Sequence, residues 1–198
     1  MSGQAVPLEP AIAKFVFDGE WRIVITGASG WLGLATLELL EQALGSTFEQ
    51  RVFCFGSTTR NLALRSGRRV QQQPLDAIAK LPNRPTWVLH FAFLTKDRAE
   101  NMSEAAYLSA NRAISDTVVG ALDRIGARKV FVASSGAAKH ARDPAVDPAM
   151  RLYGAMKLQD ENRFANWART SDCHAVIGRI FNTTGPYMNK HQAYAFAG

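Results

Sequence analysis

Cysteine is scarce: Cys54 and Cys173 are the two in 198 residues. That excludes a disulfide framework and a thiolate metal site, which need several spaced cysteines, and it fits a reducing cytoplasm. The four histidines, His90, His140, His174 and His191, show no ligand spacing. No apolar run approaches the roughly 20 residues of a membrane span. Residues 1–20 lack the basic start and apolar stretch of a secretory signal, and read as an N-terminal extension. Repeats and low-complexity tracts are absent. A soluble, cytoplasmic globular chain is therefore expected.

Positive charge is in excess, with 23 Lys and Arg against 17 Asp and Glu, a net +6. A nucleic-acid binder would gather that excess on one face. Here it is scattered, and the densest group is Arg65, Arg68 and Arg69. That group reads as a solvated loop, with an anion site as the alternative. Neither nucleic acid nor membrane is an expected partner.

Apolar runs of strand length alternate with longer amphipathic stretches, the pattern of a parallel sheet covered by helices. Strands are expected at Trp21–Thr26, Arg51–Phe55, about Arg69–Gln73, Thr86–Ala92, Lys129–Ala133 and His174–Phe181. Helices are expected over Trp31–Leu44, Ser103–Ile125 and Ala149–Thr170. The fold class is α/β, a Rossmann-type doubly wound parallel sheet over residues 21–198, with its ligand crevice at the carboxyl ends of the strands.

The stretch Thr26-Gly27-Ala28-Ser29-Gly30-Trp31-Leu32-Gly33 lies between the first strand and the first helix. Gly27 suits a tight strand exit, Gly30 a close approach to a pyrophosphate, and Gly33 close packing of helix on strand. The backbone at Trp31 and Leu32 opens the helix, where N–H groups and the positive dipole end favour phosphates. A ligand-free turn is the plain alternative. At the end of the second strand, where an NAD enzyme places an acid, stands Gly56, followed by Ser57 and Arg60. With no carboxylate to repel a 2′-phosphate and Ser57 and Arg60 to bind one, the cofactor leans to NADP over NAD. Arg60 as a solvated loop residue is the alternative.

Tyr153 and Lys157 stand four residues apart, one turn along one helix face. A free Tyr has a pKa of about 10. A neighbouring Lys⁺ favours the phenolate, which makes Tyr153 a candidate general acid/base. Ser135, at the end of the fifth strand, is placed to hydrogen-bond a substrate carbonyl or alkoxide oxygen.

These pieces, in order, are TGASGWLG at 26–33, HFA at 90–92, Asn111, VASS at 132–135, YGAMK at 153–157 and RIFNTTGP at 179–186. Together they resemble the extended short-chain dehydrogenases/reductases, the NAD-dependent epimerase/dehydratase family. The resemblance implies catalytic roles for Ser135, Tyr153, Lys157 and Asn111, with Lys157 also on the nicotinamide ribose. It sets Asn111 in the long helix behind the site and Ala92 against the cofactor ribose. Gly185 and Pro186 would wrap the nicotinamide end, and Asn182 would contact the phosphates of a nucleotide sugar. The implied activity is an NAD(P)-dependent oxidoreductase or epimerase/dehydratase, as a homodimer through its two long helices. Leu108, Val118, Leu122, Phe164 and Trp167 look like more apolar surface than one sheet-facing stripe needs.

The sequence departs from the family where Gln71-Gln72-Gln73-Pro74 replaces an Asp-hydrophobic adenine contact. Gly136-Ala137-Ala138 replaces a Val-Tyr-Gly after the serine, and the substrate lobe expected beyond Gly198 is largely missing. From another class, the alternative is a cofactor-binding sensor or interaction protein without turnover.

Overall fold

The computed structural model describes residues 7–95, 102–181 and 185–188. The chain runs α1 (Pro10–Asp18), β1 (Arg22–Thr26), α2 (Trp31–Leu44), α3 (Phe48–Arg51), β2 (Val52–Gly56), β3 (Arg60–Ala63) and β4 (Arg69–Pro74). It continues with β5 (Thr86–His90), α4 (Glu104–Leu122), β6 (Ala127–Ser135), α5 (Pro148–Thr170) and β7 (His174–Ile180). Short 3-10 turns cover Gly45–Thr47, Leu75–Lys80 and Gly136–His140.

The strands form one sheet in the order β3-β4-β2-β1-β5-β6-β7. Every pairing is parallel except β3 with β4. The order reverses direction beside β1, where chain from β1 goes outward to β2 and later returns to β5. That reversal opens the crevice at the carboxyl ends of β1 and β5. The central strands are apolar on both faces because helices cover both. Ile23 and Ile25 pack with Leu37, Leu40 and Leu44 of α2, while Val24, Val88, Val130 and Val132 pack with α4 and α5.

The structure adds two features to the expected fold and corrects one expectation. The sheet carries an antiparallel edge strand, β3, that the sequence hides: in RNLA only Leu62 is buried. The Arg65–Arg68 segment, the turn of the β3–β4 hairpin, is largely exposed, as a solvated loop should be, but two of its arginines are paired. Arg65 forks onto Glu38 of α2 at 2.8–3.2 Å, and Arg68 bridges Glu41 and Glu49 at 2.8 Å each. Val118, Leu122, Phe164 and Trp167 do not form surplus apolar surface on the long helices. All four lie in the core beneath the sheet, and Leu108 alone of the five is partly exposed.

The N-terminal extension contains a helix. Glu9 caps α1 by accepting from the Ile12 amide, and Pro10 suits the first turn. Val16 is buried against α2, and Arg51 holds the end of α1 by donating to the Val16 and Phe17 carbonyls. Among the described residues no helix is long and apolar enough to cross a membrane, and none groups as a metal site.

Candidate active site

β1 delivers the chain to the glycine loop with Thr26 fully buried. Gly27 has φ of +71°, and a Cβ there would stand 2.6 Å from the Ala92 amide nitrogen, so only glycine lets the two crevice strands close together. A Cβ on Gly33 would meet the Gly27 and Ala28 carbonyl oxygens at 2.6 Å. Gly30 differs, because its Cβ would find only the Gly27 oxygen, at 3.2 Å. Its side faces open crevice. Gly30 is also the N-cap of α2 and gives that helix no side-chain cap. The first turn, with Trp31, Leu32 and Gly33, therefore has the backbone arrangement that receives a phosphate.

At the neighbouring strand end, Ser57 is exposed, and Arg60 opens β3 with its guanidinium donating to Thr58 Oγ1 at 3.2 Å. Sequence reasoning missed Gln72 of β4. Its side chain is buried, its Oε1 accepts from the Ser29 amide at 3.1 Å, and its Nε2 donates to the Thr58 carbonyl at 2.8 Å. A Cβ on Gly56 would overlap this amide. No local signal marks Gln72 among three consecutive glutamines.

β5 ends at His90, which hydrogen-bonds Thr26 Oγ1 through Nδ1 at 2.7 Å and packs on Phe164 with ring centroids 4.8 Å apart. Burial, helped by the Lys157 charge, pulls the His90 pKa down to about 3, so it is a packed, neutral histidine. Ala92 lies beside Gly27, buried. Asn111 of α4 braces the same loop: Oδ1 accepts from the Leu94 amide at 2.8 Å, and Nδ2 donates to the Leu94 and Tyr107 carbonyls at 3.3 Å. These contacts tie α4 to the chain that follows β5.

The third side of the site comes from β6 and α5. Ser135 ends β6 and its Oγ accepts from the Ala137 amide at 3.2 Å, capping the following turn. Ser134 donates to Glu161 at 2.5 Å, and Glu161 receives a two-pronged contact from Arg179 at 2.6–2.8 Å, pinning β6 and β7 to α5. Asp147 caps α5 by accepting from the Met150 amide at 3.0 Å, with Pro148 at the first helical position. Gly154, between Tyr153 and Lys157, lets the helix settle on the Ala137 carbonyl, where any Cβ would overlap. α5 thereby lies against the turn that starts at Ser135.

Lys157 is buried, donates to the Ala133 carbonyl at 3.0 Å and sits 3.6 Å from the Phe93 ring centroid. Tyr153 meets the same ring edge-on at 5.6 Å. Phe93 is thus a shared wall for both residues, unmarked in the sequence because it precedes α5 by some 60 positions. Burial pulls the Lys157 pKa down to about 8, against the opposing pull of Asp160 and Glu161. The structure brings Ser135, Tyr153 and Lys157 to one side of the crevice and the glycine loop to the other. It does not bring Pro186 to the wall formed by those three residues. The Arg65 amide donates to the hydroxyl of the adjacent Tyr187 at 2.7 Å, which ties Gly185–Met188 to the β3–β4 hairpin at the opposite part of the sheet. Asn182 lies outside the described residues.

Residues 23–196 match the model of the NAD dependent epimerase/dehydratase family. The chain belongs to that family. No curated protein matches it. Among solved structures it is similar to a UDP-galactose 4-epimerase, with TM-score 0.64, 24% identity, and coverage of 89% of this chain and 61% of that one. It also resembles the UDP-N-acetylglucosamine 4-epimerase of Methanobrevibacter ruminantium in complex with UDP-N-acetylmuramic acid (TM-score 0.63, 19% identity, 88% and 59%). The UDP-glucose 4-epimerase of Thermus thermophilus in complex with NAD is a third (TM-score 0.61, 20% identity, 86% and 58%). These likenesses carry the fold. The chain spans about three-fifths of the length of each of these epimerases. The residues matched to the epimerase/dehydratase family include the glycine loop and the Tyr-x-x-x-Lys helix.

Proposed function

We propose that this chain is the dinucleotide-binding part of an enzyme that oxidises, reduces, epimerises or dehydrates a nucleotide sugar. The supporting observation is the setting of Lys157, buried against Phe93 and the end of β6 one helical turn from Tyr153. A lysine held there has the place and charge to favour the Tyr153 phenolate.

The uncapped start of α2, the open side of Gly30 and the acid-free end of β2 fit a nicotinamide dinucleotide. In this reading Gly27, Gly30, Trp31, Leu32 and Gly33 receive its pyrophosphate, Ala92 and Lys157 its nicotinamide ribose, and Ser57 and Arg60 a 2′-phosphate. A nicotinamide held there would supply or take up the hydride exchanged at the substrate carbon. Tyr153 takes the proton from the substrate hydroxyl, or returns it to the oxygen when the direction reverses. Ser135 donates a hydrogen bond to that oxygen and can keep accepting from the Ala137 amide, because a hydroxyl both donates and accepts. Asn182 contacts the sugar-nucleotide phosphates, as the family resemblance implies.

NADP is preferred over NAD in this reading, although the solved Thermus thermophilus epimerase holds NAD. A cytoplasmic location accords with the two free cysteines. The homodimer through α4 and α5 rests on the resemblance, since four of the five apolar residues first assigned to it lie in the core; light scattering that gives a monomer would remove it.

The test is a panel of UDP-sugars offered with NADP or NAD to the full chain and to Tyr153→Phe. The variant should keep its cofactor affinity, because the ring still packs on Phe93, and lose turnover by about 10²–10⁴-fold. Full activity in the variant would show that the proton moves elsewhere.

A further inference from the structure

Between Val52 and Leu75 the chain has no acidic residue. The polar group nearest the strand-end position comes from β4 instead of β2. Gln72 stands opposite Cys54 of β2 on one side and Arg60 of β3 on the other. Residues opposite one another across a sheet share a face, so Cys54, Gln72 and Arg60 point to the same side. Cys54 belongs to the core cluster under α2, so that side is the one carrying the glycine loop.

From there the Gln72 amide rises past Gly56 and joins two loops, accepting from Ser29 in the glycine loop and donating to Thr58 after β2. Gly56 and Gln72 are complementary. The space a strand-end side chain would fill is filled by the amide, and a Cβ at 56 would overlap it. A carboxylate at the strand end accepts from the ribose hydroxyls and repels a 2′-phosphate. A neutral amide in its place leaves a dianionic group unopposed, with Arg60 on the same face.

We propose that Gln72 sets the dinucleotide specificity of this site by putting a neutral amide where a carboxylate would exclude NADP. The inference rests on the reading of the chain as a dinucleotide-binding protein. It differs from the Arg60 argument in acting through what Gln72 withholds: charge.

Dissociation constants for NADP and NAD, measured by calorimetric titration of the full chain, test it. Gln72→Glu is nearly isosteric and keeps the acceptor for Ser29 but exchanges the donor to the Thr58 carbonyl for an oxygen; titrated at alkaline pH, where the carboxyl is ionised, it places a negative charge under the adenosine ribose. The ratio of NADP to NAD affinity should fall tenfold or more. Gln72→Met removes the clamp without adding charge and should weaken both cofactors alike, leaving the ratio within about twofold of wild type. If Gln72→Glu fails to fold, the pair Gly56→Asp with Gln72→Ala relocates the carboxylate to the strand end and frees the space for it, and the same fall in ratio is expected. A ratio in the carboxylate variant equal to that in Gln72→Met would mean that the amide is only a structural tie, and the inference would be overturned. Wild type that binds neither dinucleotide would instead overturn the reading beneath it.

Discussion

Gly154 lies so close on the Ala137 carbonyl that α5 and the turn after Ser135 touch backbone to backbone. The contact sets where Tyr153 and Lys157 stand relative to β6. In Gly154→Ala the added methyl must push the helix away. Overpacking of this kind costs about 1–3 kcal/mol, and a chain of this size loses about 2–4 °C in Tm per kcal/mol. A lowered Tm with weakened dinucleotide binding is expected in thermal melts and titrations. Unchanged values in both would mean that the turn yields without consequence.

The three loop glycines should separate by effect. Gly33→Ala drives a methyl into the Gly27 and Ala28 carbonyls and should destabilise the fold. Gly30→Val meets only one backbone oxygen at 3.2 Å, so folding should survive while cofactor binding is lost to the side chain standing in the pyrophosphate path. Melting and titration of the two variants check this. Retained affinity in Gly30→Val would show that the phosphates lie elsewhere.

Arg60→Ala should weaken NADP selectively. A charge-assisted hydrogen bond contributes about 1.5–3 kcal/mol, which is roughly tenfold or more in affinity. Its present partner, Thr58 Oγ1, is exposed and easily exchanged for a phosphate. Equal loss for NADP and NAD, or a wild-type preference for NAD, refutes the assignment.

Lys157 gives a pH signature. Its folded pKa, about 8, is below the ordinary value of 10.5. Between those values the unfolded chain binds more protons than the folded one, so stability contributed through this group rises with pH across that window. It is lost as pH falls through about 8, where the buried ammonium must be charged. Lys157→Met removes the titration. The Tm of wild type, relative to that variant, should therefore climb from pH 8 to pH 10. The variant should also bind dinucleotide more weakly. Parallel Tm profiles would show that Lys157 does not titrate in that range.

Much of the site was legible locally. A glycine-rich exit from an apolar strand, a helix over Trp31–Leu44 and a Tyr-x-x-x-Lys face each depend on neighbours within one or two turns, so the order of residues carries them. The buried runs of β1, β5 and β6 announced a doubly covered sheet for the same reason. β3 went unseen because an exposed edge strand of four residues needs only one apolar side chain, and its pairing with β4 supplies the rest.

The tertiary structure decided what meets across distance. Gln72 reaches Ser29 from 43 positions away because β4 lies next to β2. Phe93 walls both Tyr153 and Lys157 because β5 lies next to β6. The arginines of the hairpin are paired because α2 passes over it, and the apolar residues of α4 and α5 are core because the sheet takes both helices on one face. Sequence determined the local backbone, since torsional preference and periodicity act between near neighbours. Sheet order decided the electrostatics and packing of the site, since those depend on which distant side chains the fold removes from water together.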